Sequence, residues 1–138
     1  MAETIRLRVV TPTRLLLDEE VDEVTAPGAL GEFGVLPNHI AFLTLLEPGV
    51  MSYKQGHTRR FLAIKGGYAE VLDNTMTVLA DAAEYAGDID VEEARRVAQQ
   101  AEKAMAVSDP EDREFIEAAA ALRWARVQMT VANRELGD

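Results

Sequence analysis

Hydrophobic and polar residues alternate along the first part of the chain, and this alternation stops near Gly87. Ile5, Leu7 and Val9 alternate with Arg6 and Arg8. A period of two is also assigned to 61–64, where Leu62 and Ile64 alternate with Phe61 and Ala63, and to 75–80, where Met76, Val78 and Ala80 alternate with Thr75, Thr77 and Leu79. A period of two places alternate side chains on opposite faces of a β-strand. Turn signals separate the runs: Thr11-Pro12, Pro27-Gly28, Pro48-Gly49, Gly66-Gly67 and Asp73-Asn74. Short strands at this spacing predict an antiparallel β-sandwich or barrel.

One pair of strands is suggested by the local pattern of residues 59–72, RRFLAIKGGYAEVL. Two apolar runs flank Gly66 and Gly67, and glycine adopts the positive φ that a tight turn between paired strands requires. The segment therefore predicts a β-hairpin.

From Asp88 onward the pattern predicts helix. Asp90 is the expected N-cap, with Glu93 three residues later, close to a capping box. Ala94, Ala98 and Ala101 then fall on one helical face, followed by Met105.

A second helix is predicted after SDPEDREF, with Asp109 as its N-cap and Pro110 in its first turn, where a missing N–H does no harm. Residues of its packing face follow at seven-residue steps: Phe115, Leu122, Met129 and Leu136, with Ala118, Ala125 and Ala132 beside them. Two helices joined by a short turn form an antiparallel hairpin.

The change of period divides the chain into a predicted β-sandwich, residues 1–87, and a predicted helical hairpin, residues 88–138. Alanine side chains bury few methylene groups, each of which stabilises by roughly 0.8 kcal/mol. We therefore expect a weakly held hairpin that can exist docked or undocked.

The charge balance excludes some partners. The net charge is −10, so nucleic acid and anionic lipid are expected to be repelled. The chain has no cysteine, which excludes disulfides, thiolate nucleophiles and cysteine-based zinc sites. The first residues, MAETIRLRVV, do not have the pattern of a secretory signal, and no apolar stretch is long enough to span a bilayer.

The segment PGALGEFGVLPNH, residues 27–39, has three glycines and two prolines and is the main candidate site. Its glycines are spaced G-x-x-G-x-x-G, and Pro37 blocks the helix whose N-terminus would hold a phosphate, so a phosphate loop is disfavoured. Glu32 and His39 could form an acid–base pair, but no established catalytic or metal-binding motif accompanies them. No cofactor is expected.

A third interpretation is a protein-binding surface. Phe33, Val35 and Leu36 are apolar residues of this segment, and they either pack beneath it or contact a partner. Trp124, between two arginines of the second helix, can equally be a core residue or an interface anchor.

These residues carry a close family resemblance. GEFGVLPNHIAFLTLLEPGV resembles the signature of the epsilon subunit of bacterial and chloroplast F-type ATP synthases. Matching positions are Glu32, Gly34, Pro37, His39, Leu43, Thr44, Leu46, Pro48 and Gly49, whereas Ile40, Ala41 and Phe42 replace the usual Ala-Pro-Leu. The resemblance extends over essentially the whole chain.

The resemblance implies a ten-stranded β-sandwich followed by two helices, in a non-catalytic component of the central rotor. It implies binding to the gamma subunit and to the c-subunit ring, and a membrane association made only through the complex. The contact residues implied by the match are Glu32, Phe33, Gly34, Val35, Leu36 and His39. The expected location is the cytoplasmic face of a bacterial cell membrane.

The resemblance also implies a second role for the hairpin. In many bacteria it extends along the gamma subunit into the α3β3 head and inhibits ATP hydrolysis. Arg123, Arg126 and Arg134 are then the candidates to face an acidic segment of the β subunit; the alternative is a solvated helix face.

Some members of this family bind ATP through Ile/Leu-Asp-x-x-Arg-Ala. Ile89, Asp90 and Ala94 match that motif, but Glu93 occupies the arginine position. A carboxylate repels phosphate, so ATP binding is expected to be weak or absent. The alternative to this family is a free-standing β-sandwich protein that binds a ligand or regulates another enzyme.

Overall fold

The computed structural model describes residues 3–137, with side chains up to residue 134, and this part of the chain forms ten strands followed by two helices. The strands are β1 (Ile5–Val10), β2 (Leu15–Val21), β3 (Glu23–Gly28), β4 (Gly31–Val35), β5 (Phe42–Leu46), β6 (Gly49–Gln55), β7 (Thr58–Ile64), β8 (Gly67–Leu72), β9 (Thr75–Ala80) and β10 (Ala83–Tyr85). A 3₁₀ turn (Ala86–Asp88) leads to α1 (Val91–Val107) and α2 (Arg113–Gly137). The predicted fold class, a β-sandwich followed by a helical hairpin, is confirmed.

The strands form one hydrogen-bonded path in the order β10-β7-β6-β3-β5-β8-β9-β1-β2, with β4 on the other side of β3. The path folds over where β3 meets β5, which pair in register only at Gly28 and Leu46. One layer thus contains β10, β7, β6, β3 and β4, and the other contains β5, β8, β9, β1 and β2. All pairs are antiparallel except β1 with β9, which is parallel.

The main core lies between the two layers. Leu62, Ile64 and Met51 come from one layer, and Leu7 and Met76 from the other, and all are fully buried. Burial alternates with a two-residue period along β1 and β9, whereas β6 and β7 each have a run of consecutive buried residues because α2 covers part of their outer face.

The predicted hairpin of residues 59–72 is wrong. β7 pairs with β6 and β10, whereas β8 pairs with β5 and β9. Gly66 and Gly67 do have positive φ, 146° and 131°, but they carry the chain from one layer to the other. A Cβ on Gly67 would lie 2.0 Å from the carbonyl oxygen of Leu79, so only glycine fits at this crossing.

The predicted first helix is confirmed in its cap and its face. A carboxylate oxygen of Asp90 accepts a hydrogen bond from the Glu93 N–H at 3.0 Å. Ala94, Ala98 and Ala101 are buried against α2, as expected for positions on one face.

The second helix begins later than predicted. Asp109 does not cap it but opens a turn, in which its carboxylate accepts from the Glu111 N–H at 3.0 Å. The helix begins at Arg113, and the Asp112 carbonyl accepts a hydrogen bond from the Ile116 N–H of its first turn. Side-chain hydrogen bonding of aspartate to nearby backbone favours such a turn over a helical start.

The packing face of α2 is largely as expected. Leu122, Ala125 and Ala132 are buried, and Phe115 and Met129 are half-buried. The side chain of Leu136 lies outside the described residues.

The hairpin also packs on the sandwich. Val131 and Ala132 of α2 contact Phe61 and Ala63 on the outer face of β7 in a second apolar cluster, which Ile89 joins. The half-buried Trp124 also packs against this cluster, so part of its ring has a core role in this state.

Candidate partner-binding surfaces

The segment of residues 27–39 forms a β-hairpin rather than a free loop. β3 and β4 pair from Val24 with Val35 to Gly28 with Gly31. At Gly28 a Cβ would lie 2.8 Å from the ring of Phe33, and Gly31 has φ of 121°. The first two glycines therefore allow the tight turn and the close packing of a phenylalanine.

The predicted contact residues differ in how they are presented. Glu32, Gly34 and Leu36 are exposed, and Leu36 retains 58% of its accessible surface. Phe33 is half-buried and packs against the main core. Val35 is only 1% exposed and is itself a core residue, so its side chain offers nothing to a partner.

His39 is tied to its own loop. Its Nδ1 lies 2.8 Å from the carbonyl oxygen of Ile40, and its ring lies edge-on to Phe42 with centroids 6.0 Å apart. Within the described residues no hydrogen bond or ion pair joins Glu32 to His39, so the structure gives the predicted acid–base pair no support.

The loop that follows β4 is held in place while its apolar side chains face outward. The Asn74 carboxamide accepts from the Asn38 N–H at 2.7 Å and donates to the Thr4 carbonyl at 2.9 Å. The exposed apolar residues beside these contacts, here called the loop patch, are Leu36, Ile40, Phe42 and Leu43. A rigid apolar loop is suited to binding another protein.

A second exposed apolar surface lies on the outer side of the layer β5-β8-β9-β1-β2, here called the sheet face. In-register residues form an apolar row across all five strands: Leu45, Tyr68, Leu79, Val10 and Leu15. Four of them, Leu45, Tyr68, Leu79 and Leu15, keep 49–54% of their accessible surface. No part of the described chain covers this row.

The sequence analysis missed the sheet face, although the signal was present. Leu79 falls between Val78 and Ala80, both buried, and Val10 follows the buried Val9. In a sheet with one solvated face the outward positions are polar. Apolar residues on both faces of the same strands indicate that both faces are covered in the assembled protein.

The arginines of α2 have partners within this chain. Arg123 lies 3.5 Å from Glu47 of the sandwich, and Arg126 lies 3.9 Å from Glu102 of α1. Arg134 stacks over the ring of Phe61 at 5.4 Å. Each contact is at the surface, where such pairs stabilise by at most about 1 kcal/mol.

At the partial ATP motif, Ile89 and Ala94 are buried and Asp90 serves as the helix cap. The carboxylate of Glu93 forms a two-pronged ion pair with Arg96, which lowers the pKa of Glu93 because the carboxylate accepts the guanidinium hydrogen bonds. The position that would hold a phosphate therefore carries a negative charge.

Over residues 3–134, no three histidine, aspartate or glutamate side chains come together as a metal site. Neither described helix combines the length and apolar character needed to cross a membrane.

The two exposed apolar surfaces, on a rigid sandwich, define a class of protein that works by binding other proteins. Comparison with known families identifies it further. Residues 4–86 match the family model "ATP synthase, Delta/Epsilon chain, beta-sandwich domain", and residues 88–133 match "ATP synthase, Delta/Epsilon chain, long alpha-helix domain". The chain belongs to the ATP synthase delta/epsilon chain family.

Bacterial relatives agree over nearly the full length. A protein of Syntrophobacter fumaroxidans named ATP synthase epsilon chain is 50% identical over 135 residues, covering 97% of this chain and 99% of the relative. One of Geobacter sulfurreducens with the same name is 46% identical and covers 97% of each chain. The predicted family and non-catalytic role are confirmed, and the alternative of a free-standing sandwich protein is set aside.

Solved structures share the fold. A chain of the mitochondrial ATP synthase of Euglena gracilis superposes with a TM-score of 0.80 at 23% identity, covering 100% of this chain and 83% of that one. A chain in the central stalk and c-ring structure from Tetrahymena thermophila gives 0.59 at 19% identity and covers 94% of each.

Proposed function

We propose that this chain is a central-stalk rotor subunit that binds the gamma subunit through its sheet face and the c-subunit ring through its loop patch and hairpin tip. The observation that carries the proposal is the uncovered apolar row on a rigid, otherwise strongly acidic protein. The coupling of c-ring rotation to ATP synthesis then depends on tight binding at both surfaces, and this chain is not required to catalyse a reaction.

The sheet face suits the gamma subunit because its apolar row is broad. Its row spans five strands, which at about 4.8 Å per strand is roughly 19 Å. Two packed protein surfaces need a contiguous apolar centre of this kind, with polar residues around it. Here the polar rim contains Arg6, Asp18 and Glu20.

The second surface joins the loop patch to the predicted contact residues that remain exposed, Glu32, Gly34 and Leu36. Phe33 and His39 hold this surface in shape rather than forming its outermost part, since Phe33 packs edge-on to Phe42 at 5.4 Å. Contact with the c-subunit ring would place the chain at the cytoplasmic face of the bacterial membrane.

Binding to the gamma subunit is tested with an F1 core purified without this subunit. We expect the full chain to co-elute with the core and Leu79→Asp to lose most of its affinity, because a carboxylate would be buried in the apolar row. Val107→Asp is the matched control, since Val107 is 87% exposed at the end of α1. Equal binding of both variants would refute the gamma-binding role of the sheet face.

We further propose that the functional division falls at Gly87, so that the sandwich is the anchor and the hairpin is a brake on ATP hydrolysis. Its support is the modest set of contacts that the described residues of α2 make with the sandwich: a small apolar cluster, the Gln128–Glu84 hydrogen bond of 2.6 Å, the surface pair Arg123–Glu47 and the stacking of Arg134 on Phe61. Such a hairpin can leave the sandwich at moderate cost and extend toward the catalytic head, where Arg123, Arg126 and Arg134 would face an acidic segment of the β subunit.

The brake is tested by following ATP hydrolysis of the same core. We expect the full chain to slow hydrolysis, and a variant with Arg123, Arg126 and Arg134 all replaced by alanine to slow it less while binding equally well. The control variant, in which Arg95, Arg96 and Arg113 are replaced by alanine, removes the same number of positive charges from other parts of the hairpin. If both variants inhibit as the unchanged chain does, the three α2 arginines have no inhibitory role.

We also propose that ATP does not regulate this hairpin with useful affinity, because Glu93 and its ion pair with Arg96 occupy the position that would hold phosphate. Isothermal titration of the full chain should show no micromolar binding of ATP. Glu93→Arg is the informative variant, since a gain of affinity there would identify Glu93 as the cause.

A further inference from the structure

One row of the sheet face, directly beside the apolar row, contains charged residues of both signs. Arg8 is in register with Thr77 of β9 and Asp18 of β2, and Thr77 is in register with Glu70 of β8. In-register residues of neighbouring strands lie on the same face. Arg8 and Glu70 therefore stand on either side of Thr77, about two strand spacings or roughly 10 Å apart.

Arg8 is the less satisfied of two neighbouring arginines. Asp18 accepts two hydrogen bonds from Arg6, at 2.7 and 2.8 Å. These bonds raise the pKa of Arg6 and lower the pKa of Asp18, because each charged group favours the charged form of the other. Arg8 approaches the same carboxylate only to 3.8 Å, too far for a hydrogen bond. Its Nε is shielded from solvent and has no hydrogen-bond partner.

Glu70 is also available. It is exposed, and within the described residues its carboxylate has no hydrogen bond or ion pair. Beside it lies a shallow depression of about 310 Å³, lined by Leu43, Leu72 and the β5 start around Phe42.

Covering the sheet face removes water from both charges. A charge buried at an interface without an opposite charge costs several kcal/mol, whereas a matched pair fixes register and orientation. Apolar contacts alone leave the partner free to rotate on a row of similar side chains. Two opposite charges about 10 Å apart remove that freedom.

We propose that Arg8 and Glu70 determine the orientation of the partner on the sheet face, and that the partner, the gamma subunit, presents a carboxylate opposite Arg8 and a basic group opposite Glu70. This inference rests on the gamma-binding role proposed above for the same face. It adds two specificity-determining residues whose charges, not only their positions, are required.

The test exchanges the two charges while keeping the net charge. The variant Arg8→Glu with Glu70→Arg has the same net charge as the unchanged chain but presents the opposite pattern. Its matched control, Glu92→Arg with Arg95→Glu, exchanges an exposed ion pair on α1 away from the face. Affinity for the F1 core lacking this subunit is measured for the full chain and both variants, at low and at physiological salt.

We expect the exchanged face to bind at least about tenfold more weakly and the α1 control to bind as the unchanged chain does. Equal affinity of all three proteins would overturn the proposal. The milder variants Arg8→Gln and Glu70→Gln, checked for unchanged melting temperature, guard against misfolding and should each weaken binding. If neither does so, the proposal also fails.

The gamma-binding role itself is judged separately by Leu79→Asp. Loss of binding by Leu79→Asp with full binding by the exchanged face would refute the orienting charges and keep the interface. Full binding by Leu79→Asp would refute both.

Discussion

The two layers of the sandwich have outer faces of similar apolar character, but only one of them is covered. On β7 the outward residues Phe61 and Ala63 are buried beneath α2. On β8 and β9 the outward residues Tyr68 and Leu79 stay half exposed. The protein thus covers one apolar face with its own hairpin, and no described residue covers the other.

The two faces differ in how they are held. Strands β8, β9 and β1, which carry most of the uncovered row, are each paired on both sides and packed on the main core. The covered face lies beneath α2, whose described contacts with the sandwich are a small apolar cluster and a few polar contacts. In the proposed function, the first face is the anchor and the second carries the hairpin that is released.

The largest expected difference in stability between the faces comes from introducing an aspartate on each. Ala63→Asp places a carboxylate beneath α2, where Ala63 is fully buried, and should lower the free energy of unfolding by on the order of 3–5 kcal/mol or force the hairpin off. Leu79→Asp should change the free energy of unfolding by no more than about 0.5 kcal/mol, because Leu79 is exposed.

Urea unfolding and the emission of Trp124, the only tryptophan, measure both effects. Release of the hairpin should shift the emission of Ala63→Asp to longer wavelength. Similar stability losses for the two variants would contradict the assigned difference between the faces.

A smaller effect is expected when an aromatic ring is removed from each face. Phe61 is 6% exposed and contacts α2, including its residue Arg134. Phe61→Ala should therefore lower the free energy of unfolding by about 3 kcal/mol. Tyr68→Ala, at a residue 54% exposed, should cost less than about 1 kcal/mol. Thermal unfolding checks this pair, and a greater loss for Tyr68→Ala would show that the sheet face is not free.

The hydrogen bond from Gln128 to Glu84 should contribute less than the apolar cluster to holding the hairpin. Gln128→Ala is expected to destabilise the docked state by about 1 kcal/mol and to speed hydrogen exchange in α2 without affecting the β9 amides. Gln100→Ala, on the exposed side of α1, serves as the control. Uniformly faster exchange across the sandwich would mean that the two units open together.

The smallest effect concerns pH on the uncovered face. Arg6 lowers the pKa of Asp18 below its usual 3.8, so this ion pair stabilises the folded state fully above about pH 4 and less as pH falls through the lowered pKa. Arg6→Gln should therefore lower the melting temperature at pH 6 but leave it nearly unchanged at pH 2. Arg14→Gln, an arginine with no ion pair in the described part of the chain, should show no such dependence.

The sequence by itself determined much of the local structure. The two-residue period indicated a β-sheet region and fell within β1, β7 and β9, the Asp90 cap marked the start of α1, and the alanine face of the hairpin packed as expected. These features depend on neighbouring residues only, so the chain's local order encodes them. The family signature in residues 31–49 likewise identified the protein's class.

Tertiary structure decided which strands pair and which faces are covered. Gly66 and Gly67 have the dihedral angles of a turn, yet they link two layers, because β7 already pairs with β6 and β10. Val35, an apolar residue of the candidate segment, proved to be core, whereas Leu79 in a regular strand proved to be exposed. Alternation assigns a side chain to one of two faces, but only long-range packing determines whether that face meets the core, a helix or solvent.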